Sequence, residues 1–291
     1  MKRALVLSGG GAKGAFQVGA LKWLIKKKGW DFDVIAGVSV GALNATMVAL
    51  GKFDRLEAIW DTIQNKSVYT GYGGKISLFL KALTGSASIY DNTPLWRLIR
   101  AEIKPEDIKR YSQSSRLCWV GAVELHSGDY FKGRPTDTEF PKFLLASTDI
   151  PIIWKPVEIG RGQWVDGGLR NISPLGDVID QQPDHITIIN CNLKNVEPQE
   201  GKLKTMIRIG KRSLEIALNE LALNDIDMFL EMNHLAKQNP GMKKKNGVEL
   251  KAFDYTLIEP LSSLGDTLDF SRDQVEMRKN KGYLRAQTLV P

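Results

Sequence analysis

Two glycine-rich turns near the start of the chain constrain its fold most: Gly9-Gly10-Gly11-Ala12-Lys13-Gly14 and Gly37-Val38-Ser39-Val40-Gly41. Each follows a short apolar run and opens a segment with helical patterning. Arg3 to Leu7 breaks at Ser8-Gly9 and reads as a buried parallel strand. A helix is expected over about 12–27, with Phe16, Leu21 and Leu24 inward and Lys22, Lys26 and Lys27 outward. Gly29 closes it. Residues 33–36 make a second strand, and a helix runs from Val40 to about Leu50. Strand, helix, strand, helix with short connections implies a parallel sheet with right-handed crossovers.

Both turns also suit chemistry. A serine between Gly37 and Gly41 is what a sharp strand-to-helix elbow needs to expose a nucleophilic hydroxyl. The first turn gathers backbone N–H groups at a helix start, where a negative charge can be held. Each has a plainer reading as well: tight strand–helix packing for the elbow, and close helix packing for Gly14. The first turn matches the dinucleotide fingerprint through Gly9, Gly11 and Gly14, but that motif needs an acid at the end of the second strand. Asp31 and Asp33 precede the strand, and Gly37-Val38-Ser39 occupies its end. A Walker-type loop fails too, because Gly14 follows Lys13 where serine or threonine belongs.

A nucleophilic serine needs a base. His185 stands before a strand and belongs at the opposite sheet edge from Ser39, since catalytic groups gather at the carboxyl ends of strands. His126 falls in a turn and His234 late in a charged helix, so all three suit surface or packing roles; a Ser–Asp–His triad remains the rival. Asp166 ends a strand-like run and precedes Gly167-Gly168, so its carboxylate can approach Ser39. Alone, Asp-Gly-Gly is an ordinary turn.

With 291 residues, the chain fits one large α/β domain or two modest ones. It has no repeats or low-complexity linker, which favours one. The balance of 43% hydrophobic and 25% charged residues is that of a soluble globular protein. Met-Lys-Arg leads straight into the first strand with no removable secretory signal, and no apolar run nears the ~18 residues of a membrane span. A cytoplasmic protein is expected, with peripheral contact at the inner membrane surface open to it. The net charge of +7 has solubility as its plainest account, with anionic membranes or nucleic acid as alternatives. Cys118 and Cys191 lie in β-like runs and read as buried thiols.

Further along, 53–64 reads as an amphipathic surface helix. Residues 66–92 read as an irregular insertion around the apolar stretch 76–80, which is either core or a hydrophobic lip. Thr93-Pro94 starts a helix. Strands are expected near 116–125 and 128–132, a short helix near 140–146, and a strand at 185–190. Residues 203–238 make one or two long helices, with Lys204, Arg208, Lys211 and Arg212 as a basic outer face. A strand follows near 252–258, and Ser271 with Gln274 forms a capping box for the last helix.

Four motifs in order resemble the patatin-like phospholipases: Gly9 to Ala15, Gly37 to Gly41, Ala146-Ser147 with Pro151, and Asp166-Gly167-Gly168 leading to Asn171 and Pro174. The likeness covers residues 1 to about 192, and the tail is similar to small bacterial members. It implies a three-layer α/β/α sandwich around a mostly parallel central sheet. Residues 1–291 would be a single domain, with a core at 1–192 and a helical extension at 200–291 packed on it. It implies a Ser39–Asp166 dyad that cleaves lipid acyl esters, phospholipid or lysophospholipid, through an acyl-enzyme. Gly9, Gly10 and Gly11 would form the oxyanion hole, with the N–H groups of Gly10 and Gly11 as donors. Gly14, Gly37, Gly41, Gly167 and Gly168 are the motif glycines. No metal, cofactor or nucleic acid is implied; a catalytically silent lipid-binding or regulatory member and a nucleotide-binding module are the rival functions.

Overall fold

The computed structural model describes residues 1–71, 89–194, 201–243, 247 and 249–291. The run 76–80 lies outside them. Among the described residues eight strands occur in chain order: β1 (Arg3–Leu7), β2 (Val34–Val38), β3 (Leu117–Glu124), β4 (Tyr130–Gly133), β5 (Val157–Ile159), β6 (Gly162–Asp166), β7 (His185–Ile189) and β8 (Asp254–Ile258). They form one sheet in the order β5-β6-β3-β2-β1-β7-β8, with β4 also paired to β3. The five strands from β3 to β8 in that order are parallel, and β4, β5 and β6 form an antiparallel edge.

Period-two alternation decides which side chain faces which layer. Leu5, Leu7, Ile35, Cys118 and Val120 point to one face, under the helices Gly14–Leu21, Val40–Ala49, Phe53–Thr62 and Thr93–Glu102. Ala4, Val6, Val34, Ala36 and Ile188 point to the other, under Leu175–Ile179 and the long helix Met206–Gln238. Both faces are thus covered, and the central strands are apolar throughout, as a parallel sheet requires. The result is a three-layer α/β/α sandwich.

Local detail departs from expectation in several places. The helix expected over 12–27 begins as a 3-10 turn at Gly11–Lys13, is α-helical over Gly14–Leu21 and widens to a π-helical turn at Lys22–Lys27. Thr93 does not cap its helix; Asn92 takes the cap position, and the Thr93 hydroxyl donates to Asp91 Oδ1 at 2.6 Å. The Ser271 capping box does not form, because Gln274 turns inward beside Gly265 and leaves its Oε1 buried without a partner among the described residues. Both cysteines are buried and free.

The segment after 200 supplies β8 to the sheet and two helices, one on each face. Its last helix, Arg272–Leu289, crosses Gly14–Leu21 with the two backbones touching. Glycine is required there: a Cβ on Gly19 would collide with the Lys279 carbonyl, and one on Gly282 with the Phe16 carbonyl. The two ends of the insertion meet where Thr70 N–H donates to the Asp91 carbonyl at 2.9 Å. Among the described residues no helix is long and apolar enough to cross a membrane.

Candidate active site

β2 ends at Val38, and the chain turns through Ser39 into the helix Val40–Ala49. Ser39 has φ 58° and ψ −132°, a region that costs a residue with a side chain about 1–3 kcal/mol. The flanking glycines follow from the tightness of this elbow: a Cβ at Gly37 would collide with the Gly41 carbonyl, and one at Gly41 with the Leu7 carbonyl of β1. The Ser39 N–H donates to Ser147 Oγ at 3.1 Å, which holds the strained peptide in place. That contact gives the Ala146-Ser147 motif its structural role.

Strand register brings Asp166 to the same spot. Val38 of β2 pairs with Gly121 of β3, and the next residue, Ala122, pairs with Asp166 at the end of antiparallel β6. Ser39 and Asp166 are therefore neighbours across β3. Asp166 is buried, its Oδ1 accepts the Gly168 N–H at 2.7 Å, and the Ser39 hydroxyl lies close enough to interact with it. Burial raises the carboxyl pKa to about 7, against the smaller opposing effects of Gly168 and Ser39. Gly167 packs against the Gly121 carbonyl, where a side chain would collide.

A second buried carboxyl stands behind this pair. The Asp149 carbonyl accepts the Asp166 N–H at 3.1 Å, and its Oδ1 accepts the Asn92 amide at 2.6 Å. Its Oδ2 has no partner among the described residues. Burial pushes its pKa well up against the opposing Asn92 hydrogen bond, and the charge of Asp166 adds to the rise.

The first turn is held from both ends. Gly9 N–H donates to the Ile172 carbonyl at 3.2 Å, Ala12 N–H to the Thr267 carbonyl at 2.7 Å, and Lys13 N–H to the Gly10 carbonyl at 3.1 Å. The N–H groups of Gly10 and Gly11 meet no acceptor among the described residues. The Ala12 carbonyl accepts from Arg278 Nη1 at 3.3 Å. Arg278, fully buried in the last helix, also donates to the carbonyls of Leu264, Asp266 and Asp269 at 2.5, 2.9 and 2.6 Å. One guanidinium thus ties the 264–269 loop to the turn. Gly14 lies against Val40 and Trp60, close to the elbow helix.

Two cavities meet at Ser39. One, of about 100 Å³, is lined by apolar side chains including Leu43, Met47, Leu56, Ile59, Leu95 and Leu144. The other, of about 290 Å³, is mixed: Gly10, Gly11 and Asp166 form its floor, with Lys211, Arg212 and the 264–268 loop around it. Lys211 and Arg212, expected on an outer basic face, turn toward this cavity, where Lys211 stands 3.7 Å from Asp266 and Arg212 3.0 Å from Glu215. None of the histidines lines either cavity. His185 opens β7 at the far end of the sheet, beside Trp30 and bonded to Thr256 at 3.0 Å. Asp31 pairs with Arg116, and Asp33 accepts the Arg3 N–H. Neither reaches the glycine turn as a ribose acid would.

Sequence reasoning assigned no role to Ser147, Asp149 or Thr267, nor to Arg278. The first stood in a recognised motif without a stated contact. For Arg278 a signal existed: Val275, Arg278, Gly282 and Ala286 share one buried helix stripe.

The family model of the patatin-like phospholipases matches residues 5–179, more than half of the chain. The chain belongs to the patatin-like phospholipase family. This patatin-like protein is 29% identical over 196 residues to a cGAMP-activated phospholipase of Escherichia coli (strain TW11681), a match covering 59% of this chain and 53% of that protein. It is 23% identical over 194 residues to Probable lipid hydrolase 463L of Invertebrate iridescent virus 6, covering 60% of this chain and 62% of that one. The patatin-like chain thus spans between half and two thirds of the length of these curated relatives. A solved structure, VipD from Legionella pneumophila, aligns with 99% of this chain and 66% of its own at a TM-score of 0.46 and 15% identity.

Proposed function

We propose that this patatin-like protein hydrolyses the acyl ester of a lipid, with Ser39 as nucleophile and Asp166 as its general base. The observation that carries the reading is the meeting of an apolar cavity and a polar cleft at one strained serine beside a buried carboxyl. The apolar lining of the first cavity suits the part of an acyl chain next to the ester, and the mixed lining of the second a polar alcohol portion. Family membership supports the same substrate class.

Ser39 Oγ attacks the ester carbonyl carbon as its proton passes to the Asp166 carboxylate. The oxygen that gains charge is held by the N–H groups of Gly10 and Gly11, which have no competing acceptor among the described residues. Gly9 shapes the turn but does not donate, since its N–H is committed to Ile172. Collapse breaks the C–O bond, the leaving alcohol takes the proton from Asp166, and acyl-Ser39 remains. Water then attacks with Asp166 again as base, releasing the fatty acid and free serine. A phospholipid or lysophospholipid is the substrate this arrangement suits, in a protein that acts at a membrane surface without spanning it.

Labelling with a fluorophosphonate followed by peptide mapping tests the reading. Modification at Ser39, absent from Ser39→Ala, is expected. Labelling elsewhere, or none in a protein that hydrolyses short-chain esters, would overturn it.

A further inference from the structure

The first turns of the helix Met206–Gln238 have an unusual outer surface. Met206, Ile209 and Ile216 are 86%, 48% and 47% exposed. At about 100° per residue, Ile209 and Ile216 share one face, with Met206 at its margin. Ile152 extends the patch: it is also exposed, and its Cδ1 lies 3.6 Å from where a Cβ on Gly210 would stand. Lys202, Lys204 and Arg208 are exposed around it, and residues 201–214 contain no acid. Farther along the same helix the outer charges reverse, with Glu220, Asp227 and Glu231 exposed.

The inner face of these turns does something else. Leu214, Leu218 and Arg212 line the polar cleft that contains Ser39. Ile150 and Ile153, on either side of Ile152, line that cleft as well. A single short element therefore carries an apolar, cationic face outward and a wall of the cleft inward.

We propose that residues 202–216 and Ile152 form the surface by which this protein seats on an anionic lipid bilayer, with the mouth of the cleft held against its substrate. The purpose of the surface rests on the lipid-ester reading; its existence does not. Apolar side chains ringed by lysine and arginine enter the boundary between head groups and acyl chains, while the cations meet lipid phosphates. The reversal of charge along the helix orients it, since the acidic half is repelled by the same surface. An acidic protein would satisfy the cations alone, leaving Met206, Ile209 and Ile216 in water, so the bilayer is the better occupant.

The test is co-sedimentation of Ser39→Ala protein, which leaves lipid uncut, with vesicles of phosphatidylcholine alone or mixed with phosphatidylglycerol. Binding to the mixed vesicles is expected, with much weaker binding to phosphatidylcholine. Ile209→Ser with Ile216→Ser should lower the affinity at least about tenfold, and Lys204→Gln with Arg208→Gln by a similar factor. The same pairs in the Ser39 protein should leave hydrolysis of a short-chain soluble ester unchanged, which shows the cleft intact. Unaltered sedimentation of both pairs would overturn the proposal, as would a dimer in sedimentation velocity that these substitutions dissolve while vesicle binding persists. Vesicle binding together with a Ser39 protein that cleaves no ester would uphold the surface and sink the hydrolase reading instead.

Discussion

An aspartate with an ordinary pKa takes little charge density from a serine hydroxyl, and burial of Asp166 changes that by raising it to about 7. The proposed mechanism needs the ionised carboxylate, so kcat/KM for a short-chain ester should rise with pH through a midpoint near 7. A flat profile between pH 5 and 9 (roughly the range where such a base titrates) would remove Asp166 from the role. The same shift affects stability. The native pKa lies above the ordinary aspartate value of 3.8, so the native state keeps a proton that the unfolded chain has already lost. Stability therefore falls as pH climbs from about 4 to about 7, by an amount on the order of 4 kcal/mol that is fully present above 7. Asp166→Asn should lose about a thousandfold or more in rate. Its denaturant midpoint should rise above that of the parent at pH 8 and match it at pH 4. His126→Ala, His185→Ala and His234→Ala should each keep most of the activity; a folded variant as inactive as Ser39→Ala would establish a histidine triad instead.

At the scale of elements, the first glycine turn depends on a helix far away in sequence. Arg278 holds the Ala12 carbonyl and three carbonyls of the 264–269 loop, and that loop in turn accepts the Ala12 N–H. The Gly10 and Gly11 N–H groups, at the edge of the cleft, are left without an acceptor among the described residues. Arg278→Met keeps much of the volume but strands buried acceptors, at a cost of about 3 kcal/mol. In the fraction that stays folded, kcat should fall about tenfold with KM little changed, because a displaced donor weakens the transition state more than the ground state. Arg278→Lys, with one donor group in place of a fork, should recover only part of the loss. Steady-state kinetics with a parallel melting curve separates the two effects; a KM rise at constant kcat would mean that Arg278 shapes the binding cleft and not the turn. Where Gly19 and Gly282 cross, Gly282→Val should destabilise by more than the ~1–3 kcal/mol of ordinary overpacking, since the obstacle is a backbone carbonyl.

For the molecule as a whole, the region after residue 200 is structural and not an appendage. It pairs β8 with β7 along five residues, covers one face with the helix Met206–Gln238 and clamps the other with Arg272–Leu289. We propose that residues 1–291 fold as one cooperative domain. Calorimetry should show a single transition whose calorimetric and van't Hoff enthalpies agree. A chain cut after residue 192 exposes the β7 edge and the apolar faces of both layers, and should remain unfolded by circular dichroism. Two resolved transitions, or a folded short chain, would divide the protein at that point.

The parallel α/β layout and the serine elbow were legible in the sequence because both are local. Short apolar runs ending at glycine specify buried strands and tight turns over a few residues. The first glycine turn at a helix start was legible for the same reason. Tertiary structure alone decided the rest. Ser147 meets Ser39, Thr267 meets Ala12, and Arg278 reaches back to the first turn, each across a long stretch of chain. Periodicity carries no information about such partners. It can place Arg278 on a buried stripe but cannot name what it meets there, and burying a guanidinium is unfavourable unless several acceptors converge on it. Only the folded chain brings four carbonyls to one place, and that convergence makes a buried arginine part of the site.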